Sequence, residues 1–434
     1  MDGLAEHVTP ADTNTTSRGG PRRPRVVIVG AGFGGLAAAT GLGQVDVDVT
    51  VIDRRNYHLF QPLLYQIATA ALSPADIAAP IRAILSRQPN TDVILGCVTG
   101  IDTAARTVVL GERHIPYDQL VIAAGAREFY FGHDEWAAVT FGLKTIDDAT
   151  AMRRRILLAF ERAEDSRDEA ERRRLLTFVI IGGGPTGVEL AGALAELAKA
   201  ALARDFRYID PTTARIVLIE AGPRLLGAFP ASLSAVAVRA LTRLGVELRI
   251  GAGVTRCDPD GVELGQERIE SRTLIWAAGV AGSPAAAWLG VAAGRGGKVT
   301  VGPDLTLPGH PEIFVIGDTA QVEGPQGPLP GVAPVAKQQG YYVARSIASR
   351  RRGTQPPGPF HYRNFGNLAT IGRKEAIVDF GRLHLTGRLG WLVWGVAHIY
   401  FLIGFRNRMA VAVDWLWSYL TYQRGARLIT GRDM

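Results

Sequence analysis

The chain has 434 residues, 47% of them hydrophobic, enough to bury two or three domain cores. Its only cysteines are Cys97 and Cys257 and its eight histidines show neither HExxH nor paired spacing, which excludes a disulfide framework and a CxxC relay and gives no reason to expect a metal. The formal charge is +7, but residues 351–434 hold twelve basic against four acidic residues, so the excess lies in the tail.

Residues 1–24 are polar and lack an apolar run, so they are expected to form a disordered tail rather than a signal peptide or a membrane span. The cytoplasm is then the default compartment. From Arg25 the run RVVIVGAGFGGLAAATGL predicts a strand, a GxGxxG turn through Gly30, Gly32 and Gly35, and an Ala-rich helix. In that spacing the first glycine permits the turn, the second lets backbone approach a pyrophosphate, and the third lets helix and strand pack closely. The helix start offers unpaired N–H groups and partial positive charge to the phosphates. A second strand, VDVTVID, ends at Asp53, 23 residues after Gly30, where a carboxylate can accept the hydroxyls of a ribose. A lone glycine turn says little; strand, turn, helix, strand and acid in order predict a dinucleotide site.

The unit recurs. LLTFVIIGGGPTGVELAGALAEL places Gly182, Gly184 and Gly187 between strand and helix, and RIVLIE ends at Glu220. The strand DQLVIAAGA (118–126) is likewise echoed by RTLIWAAGV (272–280). Two nucleotides are therefore expected. Further on, EIFVIGD stops at Gly317 and Asp318, where an acid at a strand end suits the ribityl and pyrophosphate part of a flavin dinucleotide; read alone, Asp318 is a helix cap.

The run WLVWGVAHIYFLIGF (391–405) is almost wholly apolar. As one helix it would measure roughly 22 Å, too short for a bilayer core of about 30 Å. Trp391, Trp394, Trp415 and Trp417, with Arg388, Arg406, Arg408, Arg424 and Arg427, suit a helix lying in an anionic lipid surface. The alternative is a buried helix packed on the first nucleotide domain. Few lysines and no base-reading helix argue against nucleic acid.

Beyond Arg25 the chain resembles the type II NADH:quinone oxidoreductases, within the FAD-dependent pyridine nucleotide-disulphide oxidoreductase superfamily. The resemblance rests on DRRNYHLFQPLLYQIATAALSP (53–74), FGLKTIDDA (141–149), GGGPTGVELAGALAE, WAAGV (276–280), FVIGDTA, GNLATIGRKEAIVDF (366–380) and FRNRMAVAVDWLWSYLTYQRGARLI (405–429). It implies an α/β fold of two Rossmann-like dinucleotide-binding domains. The NADH domain (145–279) would be inserted in a split FAD domain (25–144 and 280–350), and residues 351–434 would form membrane-associating helices. The implied activity passes a hydride from NADH to FAD and then electrons to a membrane quinone, without proton pumping, from a peripheral position on the cytoplasmic face of the cell membrane. A homodimer is left open. A non-catalytic FAD/NAD redox sensor and an NADH oxidase using another acceptor are the alternatives; a sulfide:quinone oxidoreductase would need a cysteine relay that this chain lacks.

Position by position, the resemblance implies FAD contacts from Gly30, Gly32, Phe33, Gly34, Gly35, Asp53, Arg54, Val98, Ala124, Gly125, Gly317, Asp318 and Ala336, with residues 56–65 wrapping the flavin ring. It implies NADH contacts from Gly182, Gly184, Pro185, Thr186, Gly187, Glu220 and Gly279. Glu189 would lie near the nicotinamide, or serve only as a dipole partner in the first turn of its helix. Glu220 disfavours NADPH through like-charge repulsion. The helix start at Ala336 and Lys337 would stabilise reduced flavin. Where the family commonly has Ala-Gln-x-Ala-x-Gln, this chain has Ala333-Pro334-Val335-Ala336-Lys337-Gln338. Pro334 thus replaces a glutamine expected near the quinone and leaves the quinone type open; Gln338, Gln339 and Lys374 remain as polar candidates. Lys374 is read as a donor to the quinone oxygen or as a solvated loop residue. Truncation before Gly387 is expected to release the chain from membranes with NADH–ferricyanide turnover largely intact.

Overall fold

Two parallel sheets organise the molecule, and the strands that build them are the β-branched runs singled out above. The computed structural model describes residues 22–325, 327–421 and 424–431. Most of the expected N-terminal tail, residues 1–21, lies outside the described residues. Arg22 and Arg23, also assigned to that tail, pair with Asp118 at 3.1 Å and Asp46 at 2.8 Å.

In chain order the elements that position the site begin with strand β1 (Arg25–Val29), helix α1 (Phe33–Leu42) and strand β2 (Asp48–Asp53). The short helix α2 (Leu64–Ala68) follows, then strands β3 (Thr91–Leu95), β4 (Gln119–Ile122) and β5 (Ala126–Glu128). Next come helix α3 (Ile146–Asp165), strand β6 (Thr177–Ile181), helix α4 (Pro185–Glu196) and strands β7 (Arg215–Glu220), β8 (Val246–Ile250) and β9 (Thr273–Trp276). The chain continues through β10 (Val280–Gly282), β11 (Thr306–Leu307), β12 (His310–Val315) and helix α5 (Ala333–Arg351). It closes with β13 (Asn367–Thr370), β14 (Ala376–Asp379) and helices α6 (Gly387–Phe401) and α7 (Phe405–Thr421).

The first sheet has the order β11-β12-β4-β1-β2-β3, parallel except for the edge strand β11, and the second has the order β8-β7-β6-β9, all parallel. Val26–Val29 and Thr177–Ile181 are buried throughout, as expected of parallel strands covered on both faces. β1 and β6 are equivalent: Val29 lies opposite Ile52 and Ile122, and Ile181 lies opposite Ile219 and Trp276. The loops leaving β1 and β6 therefore open at the carboxyl ends of their sheets, where the following parallel strands are laid on opposite sides of β1 and of β6, which is where α/β folds place ligands. The antiparallel ribbon β5–β10 joins the two halves.

The apolar run at 391–405 is not one helix. α6 ends at Phe401, Gly404 takes φ +86, and α7 starts at Phe405. Among the described residues no helix is long and apolar enough to cross a membrane.

Candidate active site

The glycines of the two turns divide by role in the same way. Gly30 (φ +96) and Gly182 (φ +115) make the sharp exits from β1 and β6. A Cβ on Gly35 would collide with the Gly30 carbonyl, and one on Gly187 with the Gly182 carbonyl, so the third glycine is demanded by strand–helix packing. At Gly32 and Gly184 an added Cβ meets nothing within 4 Å. The protein's own packing does not require glycine there, and the bare backbone leaves room for a close approach. Gly32 and Gly184 are the N-caps of α1 and α4, neither helix has a side-chain cap or an acid in its first turn, and so the N–H ends stay unneutralised.

The strand-end acids are duplicated too. Asp53 accepts from Ala31 N at 2.7 Å and Arg55 N at 2.8 Å; Glu220 accepts from Gly183 N and Gly222 N, both at 2.6 Å. Each acid fastens its own glycine turn, a role that spacing alone did not reveal.

Of the remaining residues implied for FAD, Ala124, Gly125, Gly317 and Asp318 follow β4 and β12, Arg54 and Val98 follow β2 and β3, and Ala336 lies on α5. Ala124 and Gly125 follow β4, and the Gly125 carbonyl accepts from Ser283 N and Thr319 Oγ1, each at 3.1 Å. Gly317 (φ +69) follows β12, and its N–H donates to Gln339 Oε1 at 2.6 Å. Ala336 meets α1 at Gly34, where a Cβ would lie 3.2 Å from the Ala336 carbonyl oxygen. Asp318 is not a cap, because Ile316 occupies that position, and among the described residues its carboxylate accepts no hydrogen bond. Phe33 stands at the start of α1, edge-on to His58 and Phe60. Arg54 is exposed, whereas Val98 is buried in the first sheet's core, so only its backbone can face a ligand.

Around the second turn Pro185 and Thr186 are exposed. Gly279 follows β9, and its lack of a side chain is accounted for by the protein itself: a Cβ would meet Phe129 O at 2.7 Å and the Phe131 ring at 2.9 Å. Glu189 is the fifth residue of α4, past its first turn, which removes the dipole-partner reading. It is buried against β13, accepts from Thr370 N at 3.3 Å, and burial pushes its carboxyl up to about 8.

The polar candidates of the α5 region are differently employed. Gln339 is buried and holds Gly317, so it positions a turn. Gln338 bonds Arg363 in both directions, donating to its carbonyl at 2.9 Å and accepting from its N–H at 3.0 Å. The helix start expected at Ala336 and Lys337 lies earlier, at Ala333, so Lys337 is past the first turn; it is exposed, with Nζ 5.6 Å from the centre of the Phe401 ring, which brings the N-terminal part of α5 to the end of α6. Lys374 is exposed on the turn between β13 and β14.

The C-terminal helices are both core and surface. Trp394 and Val411 are fully buried, Trp394 stacks on Trp415 at 5.1 Å, and Trp415 donates to Gln66 Oε1 at 2.8 Å. Truncation before Gly387 would strip this packing, so the expectation of intact turnover does not stand. Arg424, read as a lipid contact, is buried: it donates to Thr69 O at 2.7 Å and Ala193 O at 2.9 Å. Arg427 pairs with Asp205 and donates to Ala201 O. The other faces carry apolar stripes open to solvent, Leu389, Leu392, Val396 and Tyr400 on α6 and Phe405, Met409, Val413, Leu416 and Leu420 on α7. Cys97 is exposed; Cys257 is buried, its thiol pushed up to about 12, as suits an inert packing residue. Among the described residues no group of His, Cys, Asp and Glu is arranged to hold a metal.

The family model described as pyridine nucleotide-disulphide oxidoreductase matches residues 24–340, and that of the NDH2 C-terminal domain matches residues 365–423. The chain is 45% identical to the type II NADH:quinone oxidoreductase Ndh of Mycobacterium tuberculosis over 428 residues, covering 95% of this chain and 92% of the relative. It is 46% identical to NdhA of the same organism over 427 residues, covering 94% and 90%. Among solved structures, NDH2 from Plasmodium falciparum in complex with NADH superposes with a TM-score of 0.84 at 20% identity, covering 94% of this chain and all of that one. The sulfide:quinone oxidoreductase of Aquifex aeolicus, at TM-score 0.71 and 20% identity over 89% of this chain and 92% of that one, shares the fold. The chain belongs to the pyridine nucleotide-disulphide oxidoreductases and, within them, to the type II NADH:quinone oxidoreductases.

Proposed function

We propose that the chain oxidises NADH and reduces a membrane quinone without pumping protons, with FAD in the β1 crevice and NADH in the β6 crevice. The carrying observation is the matched pair of glycine turns, each with a middle glycine whose bareness the protein itself does not use. Membership of the quinone-reducing family favours this reading over a redox sensor or an oxygen-reducing oxidase.

The residues present fit both nucleotides. Gly32 and Gly184 leave backbone exposed for the pyrophosphates, and the unneutralised starts of α1 and α4 draw the negative charge. Asp53 and Glu220 hold their turns in shape and keep lone pairs for a ribose; Glu220 also repels a 2′-phosphate. When bound, FAD supplies the two-electron chemistry between nicotinamide and quinone. Around it, Gln339 fixes Gly317, and Glu189 keeps a proton at neutral pH beside the second turn. These assignments divide the chain into an FAD domain of 25–144 and 280–350, an NADH domain of 145–279, and a C-terminal region of 351–434.

The α6–α7 stripes support peripheral docking on a lipid surface at the cytoplasmic face, with quinone entering where Phe401 meets Lys337. Apolar area dominates this docking, since of the five arginines assigned to phosphates only Arg388 and Arg406 remain exposed. The test is anaerobic: NADH added to purified protein should bleach the flavin band near about 450 nm, and a menaquinone or ubiquinone analogue should restore it. A protein that takes up no flavin, or whose oxidised spectrum survives NADH, sinks the reading.

A further inference from the structure

FGLKTIDDA (141–149) is one of the stretches that carry the family resemblance, and it joins the β5–β10 ribbon to α3. Its Lys144 lies between β5 and α3, half-buried, with its backbone N–H donating to Asp148 Oδ2 at 3.0 Å. Among the described residues the ammonium itself makes no hydrogen bond and no ion pair, an unfavourable condition for a half-buried cation. The charges that act on it are the carboxylates of Asp318, Glu128 and Asp148.

Two of those three belong to the walls of the β1 crevice. Asp318 follows the left-handed Gly317, and its carboxylate accepts nothing from the protein. Glu128 stands three residues after Gly125; its Oε1 is buried without a partner, and its carboxyl is packed so closely on Gly142 that a Cβ there would lie 2.5 Å from that oxygen. An acid without a protein donor, an acid with one oxygen left over and an unpaired cation thus act on one another beside the ends of β5 and β12. Each keeps hydrogen-bonding capacity that the chain does not use.

We propose that Lys144 is the tuning cation of the bound flavin: its ammonium offsets the Asp318, Glu128 and Asp148 carboxylates beside the cofactor and so favours the reduced, more negative flavin. Opposite charges interact more strongly where protein replaces water, and charge near the flavin ring is the protein's means of setting its potential. The inference rests on FAD occupying the β1 crevice. It concerns a positioning and tuning residue, since Lys144 is assigned no proton and no bond to the reacting atoms.

The experiment is a redox titration of the bound flavin in wild type, Lys144→Met, Lys144→Arg and Glu128→Gln, with flavin content and melting temperature recorded for each. Lys144→Met should disfavour reduced flavin at least tenfold, a fall of about 30 mV for a two-electron couple. Lys144→Arg should recover most of that fall, and Glu128→Gln should move the potential upward. A Lys144→Met protein that melts earlier but keeps the wild-type potential would make Lys144 a purely structural counter-charge and overturn the proposal. Should Lys144→Met fail to fold or to retain flavin, Glu128→Gln decides, an unchanged potential overturning the idea and a rise supporting it. A wild type without flavin removes the cofactor reading altogether, whereas a yellow wild type with unmoved variants removes only this inference.

Discussion

The indole N–H of Trp415 donates to Gln66 Oε1 at 2.8 Å, and Gln66 in turn donates to the hydroxyl of Tyr65 at 2.9 Å. A helix with an apolar outer stripe, α7, is thereby fastened to the short helix α2 that follows β2. Trp415→Phe keeps the ring stack with Trp394 but strands the Gln66 oxygen. An unpaired buried acceptor costs about 1–3 kcal/mol, and urea midpoints should fall accordingly. Gln66→Leu in the same background should cost less than the sum of the single changes; strict additivity would mean that the bond contributes nothing.

The two kinds of glycine predict two kinds of failure. Gly35→Ala or Gly187→Ala forces a Cβ into the carbonyl of the turn, so folding itself should suffer, with loss of soluble protein or of melting temperature. Gly32→Ala and Gly184→Ala meet no protein atom within 4 Å and should fold as wild type. Gly32→Ala should then lose flavin, and Gly184→Ala should keep its flavin while the KM for NADH rises at least tenfold. Circular dichroism and flavin content on the four proteins separate the outcomes; a fully flavinated Gly32→Ala with normal turnover would refute the cradle.

Much of this was legible in the chain, and the reasons are local. A strand, a GxGxxG turn, a helix and an acid at a strand end depend on neighbours in sequence, so Gly30, Asp53, Gly182 and Glu220 could be found by spacing. What stayed hidden depends on long-range packing. Arg424 reads as a surface cation until the end of the chain is seen to return across α2 and α4, where it donates to the carbonyls of Thr69 and Ala193. Gln339 reads as a quinone ligand until α5 is set against Gly317. The apolar run at 391–405 gave no sign of its break except Gly404, a residue that also occurs within helices. Lys144 did carry a signal, being part of a motif with no assigned duty.

The stripes on α6 and α7 predict how membrane binding should respond to charge and to salt. Leu392→Glu, Val396→Glu and Leu416→Glu together place carboxylates on residues at least 56% exposed, so the fold should hold. Co-sedimentation with phosphatidylglycerol vesicles should fall at least tenfold while NADH–ferricyanide turnover persists. Because Arg424 and Arg427 are engaged internally, electrostatic attraction through Arg388 and Arg406 amounts to about 2 kcal/mol. Wild-type binding should therefore weaken only modestly in high salt. Undiminished sedimentation of the triple variant would refute docking through this face.

The buried carboxyl of Glu189 makes stability depend on pH in a definite direction. Its ordinary value of 4.5 is raised by burial to about 8, so the folded protein holds the proton more tightly than the unfolded chain does. Between those values unfolding releases a proton. The stabilisation is therefore complete below about 4.5, declines as pH rises toward about 8, and is lost above it. The size of the effect is on the order of a few kcal/mol. Glu189→Gln keeps the shape and cannot ionise, so its urea midpoint should be flatter between pH 5 and pH 9 and should exceed that of wild type at the alkaline end. The same substitution should leave flavin content unchanged, because Glu189 faces Thr370 rather than the β1 crevice. Parallel midpoint curves for the two proteins would mean that the carboxyl ionises near its ordinary value, and Glu189 would then carry charge, not a proton, beside the second turn at neutral pH.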